Sequence, residues 1–431
     1  MAKKKKRTHK VASPHKKKTG VQLERCCLVA KKMLSHFGLD PKLLDVFTKK
    51  QREYLLSLFP VDFPSIKAKK EDVVPRQYVN KIREDVLQFM KTTYLGDPKN
   101  RLSIIDFTLY GIGFYYSILE LTKLNWFNGT SGDAASKLIY SRFDQADIFG
   151  SEDGYASLKA YLLYLTRGYS QANFRLYGFT CELELPSPKS ADKNSLASIR
   201  LKIQITARDC ETKVFTYNGI KRKAFRMIFM PVGSDNNYSC GAIIQQNKFF
   251  PNAKEEQTLD IYIQSHALYR FKERIDVFDA TFRNYLIQQD LIFIQNVVPF
   301  GKHFLLSCTI DGTAPIGYFT YFVSGGDLVV NTFLPLISKD TPEGAKFCQL
   351  LPLSKEDFIY LGMDKISFYF TVDFEQIPIL KNALTGSGIW NTITAIEAIF
   401  DNDDELSEKE LPAIDMNKTK FVKNFFDKIE Q

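Results

Sequence analysis

The sequence predicts an α+β protein: an N-terminal all-α domain followed by a mainly antiparallel, β-rich region. Three observations carry this. Apolar residues recur at helical spacing between 21 and 170, and from about 172 the spacing shortens to alternation. From 257 a strand, a helix and then a run of strands follow one another. At 431 residues the chain has room for two or three domains, and its 45% hydrophobic and 25% charged residues are ordinary for a globular protein.

Taken in order, "VQLERCCLVAKKMLSHFG" has near-3.6 periodicity and stops at Gly38, and Asp40–Pro41 is a cap and first-turn pair for the next helix. "PRQYVNKIREDVLQFMKTTYLG", "FTLYGIGFYYSIL" and "GYASLKAYLLYLTRGY" complete the 21–170 helical domain; the second reads as a buried helix too short to span a bilayer. "FRLYGFTCELEL" opens a β-rich segment over 172–250. After the turn-rich loop Pro186–Ser195, Ile199, Leu201, Ile203 and Ile205 alternate with Arg200, Lys202 and Gln204, which predicts an antiparallel strand with one basic wet face. "KVFTYNG", "RKAFRMIFMPV" and "SCGAIIQQ" add strands. An α+β unit over 257–338 begins with the strand "LDIYIQS", then "HALYRFKERIDVF" with Ser265 as N-cap, then "ATFRNYLIQQ". The strands "LIFIQNVV", "KHFLLSCTI", "IGYFTYFV" and "DLVVNTFLPLI" follow, broken at Pro299–Gly301, Asp311–Gly312 and Gly325–Gly326. The 341–431 segment is mixed: a helix capped by Thr341 with Pro342 in its first turn, a strand at "KISFYFTVDF", an acidic patch over Asp401–Glu410 and a basic amphipathic end.

The net charge of +9 is local. Residues 1–20 hold eight Lys and one Arg without an acid; removing those nine from the 58 cations leaves 49, equal to the 49 Asp and Glu. Such a block does not bury itself, so residues 1–20 are expected to be a disordered tail. Lys3, Lys4, Lys5, Lys6, Arg7, Lys16, Lys17 and Lys18 suit nucleic acid, RNA ahead of DNA, or another polyanion; a solubilising tail without a specific partner is the plain alternative. No apolar h-region follows it, so the chain is expected to be cytoplasmic, or nuclear if eukaryotic, with no membrane span. Seven scattered cysteines without a C-x-x-C argue against a disulfide framework and a zinc site, and five histidines, two of them in the tail, disfavour a metal hydrolase. Walker, Rossmann, H-E-x-x-H, G-x-S-x-G and EF-hand signatures are absent, so no cofactor and no metal is expected.

The stretch "SHALYRFKERID" carries the sharpest chemical signal. With Leu268, Phe271, Ile275 and Phe278 packed inward, His266, Arg270 and Arg274 form an i, i+4, i+8 stripe beside the apolar face. Two guanidinium groups and an imidazole suit a phosphate: arginine holds the oxygens and histidine moves a proton. Glu273 and Asp276 could instead hold the arginines in structural ion pairs. Lys302 and His303, at the start of "KHFLLSCTI", are further candidates for nucleic-acid contact, with a plain surface histidine as the alternative for His303.

The run of strand, "SHALYRFKERI" and antiparallel sheet ending "LVVNTFLPL" resembles the BrnT-type toxins of the RelE/ParE-like ribonuclease superfamily over residues 257–338, with His266, Arg270 and Arg274 carrying the match. The resemblance implies a nucleic-acid-facing RelE-like unit in which His266 is general acid or base and Arg270 and Arg274 stabilise charge on phosphate. This chain departs from those short, free-standing proteins by embedding the unit in a long chain. The expectation is a nucleic-acid-binding protein with a ribonuclease-like site; the alternative is a non-enzymatic scaffold or protein-interaction protein of a mobile element or phage, with a protein partner.

Overall fold

Helix α1, Gly20–His36, turns Cys26, Val29, Ala30, Met33 and Leu34 inward at alternating steps of three and one. It stops at Gly38, whose φ of 74° favours glycine. The computed structural model describes residues 20–70, 72–95, 102–146, 155–169, 175–185, 198–229, 240–241, 243–245, 258–293, 297–301, 303–310, 312–402 and 411–429. The Lys3–Lys18 tail, the Pro186–Ser195 loop, Lys302 and most of the acidic patch lie outside them. The protein is α+β, with a helical N-terminal region followed by a strand-rich one.

Two compact units divide the chain without following its order: Met1–Leu163, Phe179–Thr206 and Val232–Asp235 in the first, Tyr164–Gly178, Ala207–Pro231 and Asn236–Gln431 in the second. In the first, Asp40 caps a 3-10 turn at Pro41–Val46, and Thr48 and Gln51 form a reciprocal capping box on α2, Lys49–Ser57. Strand β1, Ser65–Ala68, and helix α3, Arg76–Thr92, follow, then the β2–β3 pair, Tyr94–Leu95 with Leu102–Ser103. Helix α4, Ile104–Asp106, passes through a π-helical turn at Phe107–Gly111 into α5, Ile112–Lys123. The whole Ile104–Lys123 stretch exceeds the apolar run read from sequence and is long and apolar enough to cross a membrane; 72% of its apolar window is nevertheless buried inside the protein, as in a core helix. Helices α6, Asp133–Asp144, and α7, Ala156–Tyr169, precede β4, Arg175–Glu184, and β5, Arg200–Asp209.

Strand β5 alternates as its sequence predicts, with Leu201, Ile203 and Ile205 fully buried, but it pairs with β1 in parallel rather than antiparallel fashion. Its wet face is not free charge: Arg200 pairs with Asp62, and Lys202 with Glu184 at 3.0 Å.

The second unit is built on one eight-stranded sheet in the order β12-β13-β14-β15-β11-β7-β6, with β10 also paired to β11. These are β6, Thr212–Tyr217; β7, Ile220–Arg226; β10, Ile243–Gln245; β11, Thr258–Gln264; β12, Val297–Phe300; β13, His303–Ile310; β14, Ala314–Ser324; and β15, Asp327–Pro335. The two-stranded pair β8, Ile228–Phe229, and β9, Cys240–Gly241, lies apart. Between β11 and β12 come α8, Ser265–Arg274, and α9, Ala280–Phe293. The sheet is antiparallel except where β11 inserts beside β15 in parallel, Ile263 opposite Val330. Its second face carries a small cluster, Phe215, Ala224, Tyr262 and Val329. The outermost strand curls over that face, so that Tyr217 stacks on Phe322 at 4.5 Å and Lys213 pairs with Asp327.

Six helices end the unit: α10, Pro342–Leu350; α11, Lys355–Leu361; α12, Phe368–Thr371; α13, Pro378–Ser387; α14, Ile389–Asn402; and α15, Met416–Ile429. Thr341 caps α10, its hydroxyl accepting from the Gly344 N–H. Two expected strands are wholly or partly helical. Leu291–Phe293 of "LIFIQNVV" end α9, with Ile287 and Leu291 four apart and both buried, while Val297 and Val298 open β12. "KISFYFTVDF" forms the single turn α12 and a 3-10 turn, because Phe368, Tyr369 and Phe370 are all buried and carry no alternation.

On α9, Asp290 is half-buried against β13, where its carboxylate accepts from the Thr309 N–H at 2.8 Å and the Thr309 hydroxyl at 3.0 Å. Burial is the larger effect and pushes its pKa up to about 6 from an ordinary 3.8. The fold therefore holds the proton more tightly than the unfolded chain does. This contribution to stability is full below about pH 4 and is lost as pH rises through about 6. Denaturation midpoints measured across that window should decline in the parent protein, by the equivalent of about 2–3 kcal/mol, and Asp290→Asn should flatten the decline; an unchanged slope would refute the assignment.

Candidate functional site

Strand β11 runs into α8 without a loop. Gln264 is the extended N-cap residue and makes no side-chain cap bond, so Ser265 is the first helical residue rather than the cap. Ala267, Phe271 and Ile275 are buried at 0–1% exposure, and the Phe271 ring packs against Phe319 of β14, at 5.6 Å, and Phe333 of β15, at 5.0 Å, which touch each other at 5.0 Å. That contact fixes the rotation of the helix.

The rotation separates the predicted stripe. Each four-residue step advances about 40° around a helix of 3.6 residues per turn, so His266, Arg270 and Arg274 drift progressively toward the buried side. His266 and Arg270 remain at the surface, and Arg270 pairs with Glu273 at 2.7 Å, with both side chains about one-third exposed. Arg274 turns inward. It pairs with Asp364 at 2.9 Å, with side chains 11% and 12% exposed, and its Nε has no hydrogen-bond partner. Around it, the Ile366 N–H donates to the Arg274 carbonyl, and Asp276 accepts from the Ser367 N–H and hydroxyl. Arg274 thus joins α8 to the segment before α12. Burial pulls its guanidinium below the ordinary value, which Asp364 opposes.

A cation from outside the stripe also acts on His266. The β7–β11 register ends with Ala224 opposite Gln264; beyond it Arg222 continues along β7, alternating onto the Ala224 face of the sheet, while His266 is already in the first turn of α8. Among the described residues Arg222 has no ion-pair or hydrogen-bond partner. The His266 imidazole is held below its ordinary pKa first by burial, then by Arg222 and Arg270, with Glu273 opposing. It is therefore uncharged at neutral pH, a state that accepts a proton. The sequence contained a signal for Arg222: Asn218 and Gly219, at φ 49° and 78°, form the two-residue turn that fixes the β6–β7 hairpin.

His303 begins β13, pairing with Phe300, and β14 and β15 separate that strand from β11; it is not brought to His266. Lys302 and the tail cations lie outside the described residues. Among those residues no group of three or more His, Cys, Asp or Glu side chains is placed to hold a metal ion.

No family model matches the chain, and neither a curated protein nor a solved structure matches it.

Two outcomes follow from this geometry. Arg274→Ala leaves Asp364 buried without its partner and should cost about 3 kcal/mol in chemical denaturation, whereas Arg270→Ala should cost about 0.5 kcal/mol or less; equal costs would contradict the division between them. By NMR, His266 should titrate below an ordinary histidine, and Arg222→Ala should move its midpoint upward. A midpoint above the ordinary value would place Arg222 elsewhere.

Proposed function

We propose that this chain binds nucleic acid, RNA ahead of DNA, along the edge formed by α8 and β7, and that residues 257–338 are a RelE-like unit. One observation carries the reading: Arg222, whose side chain has no ion pair among the described residues, and Arg270 on the next turn both act on His266 at the start of α8. Two guanidinium groups around an imidazole suit a phosphodiester, and the Lys-rich tail adds sequence-independent attraction. The order strand, two helices and antiparallel meander from β11 to β15 supports the RelE-like part of the reading. Where cleavage occurs, His266 takes or gives the proton and Arg222 and Arg270 stabilise charge on the phosphate; Arg274 supports the helix. The compartment that goes with this function is the cytoplasm, or the nucleus in a eukaryote.

A second reading, a scaffold that binds protein, draws on the exposed aromatic pair Tyr360 and Phe421 of α11 and α15, at 64% and 41% exposure with rings 5.3 Å apart.

Binding of RNA and DNA across a salt series, with product gels, tests the proposal. Arg222→Ala should weaken binding about 3- to 10-fold and lower the salt slope by about one. Glu273→Gln should tighten it by up to about 5-fold by releasing Arg270 from its ion pair. If binding is unchanged in both variants and disappears with residues 1–19, the tail alone binds, and the scaffold reading takes precedence.

A further inference from the structure

The β6–β7 hairpin outruns the sheet to which it belongs. Strand β7 pairs with β11 only from Ala224 to Arg226, because β11 gives way to α8 after Gln264. Beyond Ala224 four residue pairs continue as a two-stranded ribbon: Val214–Lys223, Phe215–Arg222, Thr216–Lys221 and Tyr217–Ile220. It is about 13 Å long. Opposite residues of an antiparallel pair share a face, and successive residues alternate between faces. The inner face holds the ribbon in place: Phe215 is buried, Tyr217 stacks on Phe322 at 4.5 Å and Lys213 pairs with Asp327. The outer face is Thr212, Val214, Thr216, Lys221 and Lys223, and all five are exposed. Phe225, next on that face, is back in the core with Phe271 of α8, and the Lys223 ammonium lies over its ring at 5.7 Å. Among the described residues neither Lys221 nor Lys223 has a carboxylate partner, and the sequence contains no Asp or Glu from Thr212 to Pro231. The outer face thus has a rim of ammonium groups on β7 and a rim of hydroxyls on β6.

Building on the nucleic-acid reading, we infer that this outer face docks on the minor groove of an RNA duplex, with Lys221 and Lys223 along one phosphate backbone and Thr212 and Thr216 against 2′-hydroxyls. Two ammonium groups about 7 Å apart along a strand suit a row of phosphates. The face carries no aromatic ring, because Tyr217 is turned to Phe322, so unpaired bases find no platform on it. Threonine and valine are too short to read the major groove of DNA, about 8.5 Å deep. The minor groove of an RNA duplex is wide, shallow and lined with 2′-hydroxyls, which short side chains reach.

The test uses the full chain, so that the tail contributes equally throughout, at about 0.2 M salt. Four probes are compared: an RNA duplex of about 16 base pairs, the DNA duplex of the same sequence, one RNA strand alone, and polyglutamate. The RNA duplex should bind best. Lys221→Ala/Lys223→Ala should weaken it about 10-fold and lower its salt slope by about two, while Lys221→Arg/Lys223→Arg retains it. Thr212→Val/Thr216→Val, which keeps the shape and β preference of the strand, should weaken the RNA duplex about 3- to 10-fold and leave the DNA duplex unchanged. The inference is overturned if the single strand or the DNA duplex binds as well as the RNA duplex, or if the lysine variant binds the RNA duplex as the parent does. Loss of polyglutamate binding alone in the lysine variant also overturns it and makes the ribbon a face for an acidic protein. In each of these cases the nucleic-acid reading stands if Arg222→Ala weakens RNA binding, and falls with the inference if it does not.

Discussion

The packing of Phe271 against the touching pair Phe319 and Phe333 is the contact on which the arrangement of α8 depends. A helix packed on a sheet has one free rotation about its axis, and a large buried ring held against two others leaves that rotation little latitude. Once it is set, Arg274 must meet Asp364, Arg270 and Glu273 must share the rim, and His266 and Tyr269 must face water. Polar groups on α8 did not choose these places; an apolar contact chose for them.

The treatment of positive charge separates scaffold from surface. On β5 the cations predicted to form a basic face are neutralised by Asp62 and Glu184, and on the curled outer strand Lys213 closes the hairpin onto Asp327. Such pairs orient strands and add little attraction for a distant anion. Among the described residues the Arg222 side chain is left without an ion pair on β7. Arg222 and Arg270 both hold the His266 imidazole toward its neutral form, so an anion arriving there would favour its protonation.

Much of the fold was legible in the sequence because its signals were local. Alternation identified β5 and the strands of the meander, and Thr341–Pro342 and Asp40–Pro41 marked where turns begin. The failures share a cause. The start of "LIFIQNVV" and "KISFYFTVDF" are apolar runs, and an unbroken apolar run has no period from which to tell helix from strand. The parallel pairing of β11 with β15 and of β1 with β5 depends on segments far apart in the chain. At the site, spacing set His266, Arg270 and Arg274 four residues apart on one helix, but it did not contain which end of the stripe turns toward the core, nor the carboxylate Asp364 contributed from ninety residues away. Arg222 was missed because the Asn218–Gly219 turn fixes only the β6–β7 pairing, whereas its influence on His266 depends on α8 following directly on β11.

The parallel insertion of β11 has a consequence for the order in which this protein is made. Helix α8 leaves the ribosome together with β11, yet the rings that seat it, Phe319 and Phe333, and the strand that flanks β11, β15, are synthesised only later. Until Pro335 has emerged, α8 is an amphipathic helix without a floor, and short helices of that kind are marginal in water. The tail, by contrast, carries its full charge from the first moments of synthesis. A nascent chain therefore passes through a long interval in which its tail is already fully charged and the α8 edge is not yet ordered.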